Sequence, residues 1–177
     1  MTKDIESRIA PFTIVVDTRE QLPYRFDDVR IGRRKFFVWT QSKTLSTGDY
    51  SIAGFEDQIC VERKSLVDLY GTLGSGRDRF EREFERMQEL DCSLVVIEAT
   101  WKEIACPDIK DDGETDYNWN SSLSSNSVIG TIVAWSGKYP KTRWKAAGSR
   151  KLGEKATFEF LLNWFQKQQE KQQEHFR

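Results

Sequence analysis

The stretch TGDYSIAGFEDQICVERKSLVD, residues 47–68, decides the fold. It opens on a Gly48-Asp49 turn. Tyr50-Ser51-Ile52-Ala53 and Gln58-Ile59-Cys60-Val61 then flank Gly54-Phe55-Glu56-Asp57, the pattern of two strands around a hairpin loop. Asp49 enters the first strand and Glu62 leaves the second, so pairing brings their carboxylates close. Side chains two apart on a strand share a face, so Glu62 and Lys64 address one point while Arg63 looks away. Ser65-Leu66-Val67-Asp68 fits a capping box that starts a helix, which gives Asp68 either a capping role or a place in the same polar cluster. Taken alone, Glu-x-Lys reads as a surface charge pair. Its conjunction with Asp49 and Asp68 suits a metal ion and an activated water.

Upstream, Phe12-Thr13-Ile14-Val15-Val16 is a continuous apolar and β-branched run, the mark of a strand buried on both faces. It delivers Asp17 and Glu20 to its carboxyl end, where open α/β sheets place their sites. Residues 1–11 read as a loose N-terminal lead ending at Pro11, and 21–34 as a loop. A second strand is expected at Phe36-Phe37-Val38-Trp39. Downstream, Gly71–Gly76 interrupts the helix begun at Ser65. A strongly amphipathic helix follows from Arg77 to Leu90, with Phe80, Phe84 and Met87 as its apolar stripe. The Gly-Ser-Gly-Arg segment before it is a candidate substrate loop with Arg77 as contact. Ser93–Ile97 is a second buried strand, parallel to residues 12–17 through a helical crossover.

Residues 101–127, acidic and rich in Asn and Ser, are expected to form a mobile loop with Trp119 as its apolar anchor. A helix over Val128–Trp135, a short strand over Lys141–Trp144 and a last helix from Leu152 complete the pattern. Phe158, Leu161, Leu162 and Phe165 form the last helix's core stripe, and 166–177 is a polar helical extension. One domain over 12–165 accounts for the chain, because 177 residues support one sizeable core. The fold class expected is α/β, a central mixed β-sheet flanked by helices.

Composition removes several classes of function. No apolar run approaches the roughly 20 residues that cross a bilayer, and Met1–Glu6 carries no apolar signal core, so a cytoplasmic protein without membrane association is expected. Cys60, Cys92 and Cys106 lack zinc spacing, and Cys60 and Cys92 read as core residues of a reducing compartment. His175 is the only histidine, which nearly excludes histidine chemistry. The net charge is only −1, but its distribution is uneven. Asp108, Asp111, Asp112, Glu114 and Asp116 form an acidic run, whereas Lys138, Lys141, Arg143, Lys145, Arg150, Lys151 and Lys155 face Glu154 alone. Such a basic run attracts a phosphate backbone. Trp135, Trp144 and Trp164 are read as core residues before stacking platforms.

Asp17, Asp49 and Glu62 offer hard oxygen ligands without histidine or thiolate, a set that selects magnesium or manganese. A backbone carbonyl beside Glu62 is expected to complete the protein's share of the shell. Lys64 is expected to orient a water or stabilise charge on a phosphodiester, supported by Glu20 and Asp68.

Val16-Asp17-Thr18-Arg19-Glu20, Gly48-Asp49-Tyr50-Ser51-Ile52, Val61-Glu62-Arg63-Lys64-Ser65, Asp68-Leu69 and Ser75-Gly76-Arg77 together resemble the XPF-type nucleases of the restriction-endonuclease-like superfamily. The resemblance covers about residues 12–99. It implies a divalent-metal endonuclease of branched DNA such as 3′ flaps and forks, with Asp17, Asp49 and Glu62 on the metal, Lys64 catalytic, and Glu20, Arg63 and Asp68 supporting them. DNA contacts are expected from Arg19, Arg77, Arg79, Lys141, Arg143, Lys145, Arg150 and Lys151. Where the family shows a Gln after its Gly-Arg, Glu81 or Glu83 stands here. The tandem helix-hairpin-helix region, which usually provides dimerisation and junction binding in larger members, and the helicase region are not expected, which suggests a stand-alone bacterial or phage form, with a homodimer through the nuclease domain as the assembly left open to it. A catalytically silent DNA-binding subunit, or a restriction or repair nuclease of other preference, are the alternatives.

Overall fold

The computed structural model describes residues 6–109, 114–116 and 118–175, with no side-chain account for residue 175. In chain order the elements are β1 (Glu6–Val16), β2 (Val29–Ile31), β3 (Arg34–Ser42), β4 (Tyr50–Ile52), β5 (Ile59–Lys64), α1 (Leu66–Leu73), α2 (Arg77–Met87), β6 (Cys92–Ile97), α3 (Trp101–Ala105), α4 (Ser125–Lys138), β7 (Thr142–Ala146) and α5 (Arg150–His175). The strands form one mixed sheet in the order β2-β3-β1-β4-β5-β6-β7. β4 runs antiparallel to both β1 and β5, and β6 and β7 continue parallel to β5. The Ser93–Ile97 strand therefore does run parallel to residues 12–16, with β4 and β5 between them.

Two apolar layers hold the sheet. On one side α5 packs Phe158, Leu161, Leu162 and Trp164 against Phe12, Ile14, Phe36, Ile52, Val61 and Val96. On the other, Leu69, Leu73, Phe80, Phe84, Met87, Val128, Ile132 and Trp135 of α1, α2 and α4 cover Cys60, Val95 and Ile97. Trp135 and Trp164 are buried, and Trp144 stacks on Phe84 at 5.2 Å, so all three serve the core as their apolar context predicts. Burying these faces is the main favourable term in folding. No described helix is long and apolar enough to cross a membrane.

Three expectations change. Residues 6–11 are the first half of β1, paired in parallel with β3 from Glu6↔Arg34, instead of a loose lead. Pro11 sits where the register shifts between Ile9 and Thr13, and such a bulge tolerates a residue without an N–H. Residues 1–5 lie outside the described residues. Within the expected 21–34 loop, Val29–Ile31 pairs antiparallel with β3 across Gly32 at φ +59°, a hairpin too short to stand out by periodicity. The expected 101–127 loop contains α3, closed by a Thr100/Glu103 capping box, and Trp119 packs edge-on against Tyr70 at 4.9 Å. Residues 110–113, with Asp111 and Asp112 of the acidic run, lie outside the described residues.

Candidate active site

The carboxyl ends of β1 and β5 and the amino end of β4 meet at one edge of the sheet. Two backbone hydrogen bonds fasten them: the Asp17 amide donates to the Asp49 carbonyl, and the Asp49 amide to the Val61 carbonyl, both at 2.8 Å. Gly48 makes this approach possible. Its φ is +76°, and a Cβ there would lie 2.9 Å from Cys60 Cβ and 3.1 Å from the Val61 carbonyl oxygen. We expect Gly48→Ala to cost about 2–4 kcal/mol, combining left-handed strain with overpacking against the hairpin. Thermal melts of the two proteins measure this, and an unchanged midpoint would show that the turn absorbs a side chain freely.

A cleft of about 330 Å³ opens there, lined by Arg19, Glu20, Gln21, Leu22, Asp49, Glu62, Arg63, Lys64 and Asp68. As strand alternation requires, Glu62 and Lys64 share a face and are ion-paired to each other. Lys64 Nζ also stands 4.8 Å from the centre of the Phe80 ring. The Arg63 amide donates to Asp49 Oδ2 at 2.7 Å. Its guanidinium lies on the other face, buried between Glu20 and Glu98 at 3.4 Å from each. Ser65 caps α1, and the Asp68 carboxylate accepts from the Ser65 hydroxyl at 2.7 Å while also lining the cleft.

Burial pushes the Asp49 carboxyl up to about 7; Glu20 and Glu83 push the same way, against the Arg63 amide and Lys64. Glu62 is raised well above the carboxylate range, first by burial and then by Asp49. Burial opposes the Lys64 ammonium, but Glu62 outweighs it and keeps that group protonated. The cleft thus concentrates carboxylates whose negative charge is poorly compensated.

Asp17, the third carboxylate of the expected metal set, is hydrogen-bonded through both oxygens within the fold. Its Oδ1 accepts from the Arg19 amide at 2.8 Å and Nε at 2.7 Å. Its Oδ2 accepts from Arg19 Nη2 at 3.0 Å and the Leu45 amide at 2.6 Å. Burial works against this carboxylate, but Arg19 and the two amides hold it below its usual range. Among the described residues no three Asp, Glu, His or Cys side chains converge as a metal-binding group. Asp49 and Glu62 do fit a hard divalent ion. Each keeps one oxygen without a protein donor among the described residues, and magnesium commonly takes only one or two carboxylates, the rest being water and phosphate.

Glu83 of α2 is the site residue that local pattern misses. The Gly48 amide donates to it at 3.3 Å, and its charge acts on Asp49, Glu62, Lys64 and Arg19. Of the two residues standing at the family's Gln position it is therefore Glu83 that faces the cleft. Glu81 pairs instead with Lys138 and accepts from Tyr139.

The basic candidates divide. Arg77 donates to the Thr131 hydroxyl at 2.9 Å and stacks over Trp135, Lys141 donates to the carbonyls of Gln88 and Leu90, and Arg150 binds Glu98 and the carbonyls of Leu22 and Pro23. These three are occupied within the fold. Arg79 is exposed beside Asp68 and the glycine turn, and Arg143, Lys145 and Lys151 are exposed on or near the β7 edge. Arg19, with its side chain 65% exposed, borders the cleft while holding Asp17.

A family model, the ERCC4 domain, matches residues 16–160. Among solved structures, XPF from Aeropyrum pernix is similar at 19% identity and a TM-score of 0.56, over 84% of this chain and 64% of that one. XPF from Aeropyrum pernix in complex with DNA is similar at 21% identity and a TM-score of 0.58, over 88% and 66%. The chain thus spans slightly under two thirds of the length of these matched chains. Comparison with curated proteins found no match.

Proposed function

The chain belongs to the ERCC4 domain family, and from that premise we propose that it is a divalent-metal-dependent endonuclease that hydrolyses phosphodiester bonds in branched DNA, at 3′ flaps, forks or related junctions. The observation that carries this reading is Lys64 held against Glu62 beside Asp49, in a cleft at the strand ends of a family nuclease fold.

Asp49 and Glu62 would hold magnesium or manganese, which when bound acidifies a water and screens negative charge at phosphorus. The protein's own groups supply the remainder. Lys64, kept protonated by Glu62, presents an ammonium where charge grows as the water oxygen bonds to phosphorus and a P–O bond breaks. Arg63 fixes the strand end through Glu20 and Glu98, and its amide orients Asp49. Arg19 and Arg79 border the cleft as candidate phosphate contacts, with Arg143, Lys145 and Lys151 farther out.

End-labelled flap, fork and uniform duplex DNA incubated with magnesium or manganese tests the reading. Cleavage near the junction is expected, and it should vanish when the metal is chelated. No cleavage of any substrate with either ion overturns the proposal, and equal cutting of plain duplex removes its preference for branches. One observation favours a catalytically silent DNA-binding subunit, namely that both oxygens of Asp17 are already engaged. Salt-sensitive DNA binding without turnover in the same panel would select that reading.

A further inference from the structure

The two halves of the sheet are covered unequally. The layer formed by α1, α2 and α4 rests on β5, β6 and β7, and its buried residues include none from β1, β2 or β3. Along β3, Phe36 and Val38 face α5, so Phe37 and Trp39 point to the opposite side. Phe37 is 54% exposed and Trp39 68%, and Ile9, paired with Phe37 in register, is 71% exposed. Glu62 and Lys64 project from this same side of the sheet, as does Cys60 beneath α2. β3 runs toward the cleft, with Ser42 paired to Val16 just before Asp17. Trp39 lies opposite Thr13, four residues short of Asp17, or about 13 Å along the strand.

α2, lying over β5 and β6, turns its Glu83 flank toward this bare floor through the Gly48 amide. Glu83 marks the flank of α2 that faces Gly48 and Arg19, while Arg77 and Glu81 occupy the flank that meets α4. Arg79 and Arg86, seven apart, lie on the Glu83 side of the helix, and Arg82 stands between them on its outer face, opposite the buried Phe80, Phe84 and Met87. All three are exposed, and none has a carboxylate partner among the described residues. Across the floor, Arg30 and Lys35 share the single carboxylate of Asp28. A floor of exposed aromatic rings between basic walls complements a chain that offers both bases and phosphates.

We propose that the bare face of β1 and β3, with the arginine flank of α2, forms a groove for a single-stranded DNA arm, its bases against Phe37 and Trp39 and its phosphates along Arg79, Arg82 and Arg86, leading into the cleft. This rests on the endonuclease reading and extends it to the substrate's unpaired strand. Stacking tolerates any sequence because every base has a π-face, so the groove selects for unpaired DNA and not for sequence.

The test uses the whole chain with a fluorescent oligothymidylate in chelator, so that binding is read without cleavage. Joint replacement Phe37→Ala and Trp39→Ala is expected to weaken single-strand binding about tenfold or more. Trp39→Phe alone should retain most of the affinity. Arg82→Ala with Arg86→Ala should reduce the slope of log affinity against log salt by about 1.4, two single-strand phosphate contacts. All replaced residues are exposed, and unchanged melting midpoints identify losses that are not due to folding. Wild-type protein that fails to bind the oligonucleotide, or ring replacement that changes its binding less than twofold, overturns the groove. So does sedimentation that finds a dimer in the wild type and a monomer in the ring variant, which would assign the face to a second copy. The branched-substrate panel separates this from the parent reading: binding through the rings without any cleavage ends the endonuclease proposal and leaves the groove, whereas cleavage with ring-independent binding does the reverse.

Discussion

Lys64→Ala is expected to lower magnesium-dependent cleavage of branched DNA by about 10²- to 10³-fold, the usual cost of removing one preorganised group that meets developing charge. The ammonium is fixed by its pair with Glu62 and by the Phe80 ring, so its position does not depend on substrate. Truncation leaves Glu62 buried without that partner. Its carboxyl, already raised by burial, answers by binding a proton more readily, which limits the damage to the fold. The expected signature is therefore loss of turnover with DNA affinity largely kept. Single-turnover cleavage and chelator-arrested binding, measured on the same preparation, give both quantities. Wild-type turnover in Lys64→Ala would remove the lysine from the mechanism, and parallel loss of binding and turnover would recast it as a DNA contact.

Arg63→Ala is expected to act through stability first. The Arg63, Glu20 and Glu98 side chains are each 10% exposed or less, so the change strands two buried carboxylates. Breaking a buried pair costs about 3–5 kcal/mol, and Arg150 keeps a partial hold on Glu98, so about 3 kcal/mol is expected. In a chain of this size that corresponds to a midpoint lower by roughly 6–12 °C. Arg63→Lys should rescue little, because a single ammonium cannot span both carboxylates as the guanidinium does. A melting midpoint within about 2 °C of wild type would mean that the two glutamates find other partners. Cleavage should fall too, since the strand end that carries Glu62 and Lys64 loses its anchor on the opposite face.

The sequence carries these two residues plainly, because alternation on a strand is a local rule: Glu62 and Lys64 on one side and Arg63 on the other follow from spacing alone. Ser65 as the cap of α1 and Asp17 at the end of a buried strand are legible for the same reason. Partner choice is not local. That Asp17 accepts an amide from Leu45, far along the chain, cannot be read from its own strand. Glu83 looks like one more charge coating α2 until the hairpin brings the Gly48 amide to it. The basic run from 138 to 155 reads as one face, yet Lys141 is consumed by the end of α2 and Arg150 by Glu98 and the 22–23 turn. Pro11 hides the first half of β1 because a bulge, not a strand end, accommodates it. In each case the deciding contact joins segments that no window of periodicity contains.

Arg150, in the first turn of α5, ties the Leu22 and Pro23 carbonyls to Glu98, and Glu98 in turn braces Arg63. During synthesis the chain emerges in order, and Lys64 leaves the ribosome long before Arg150. The acidic turns and the hairpin are therefore all exposed to solvent before the guanidinium that ties the 22–23 turn to Glu98 exists. The brace behind the cleft is thus completed only once α5 has been made, later than every residue that lines the cleft itself.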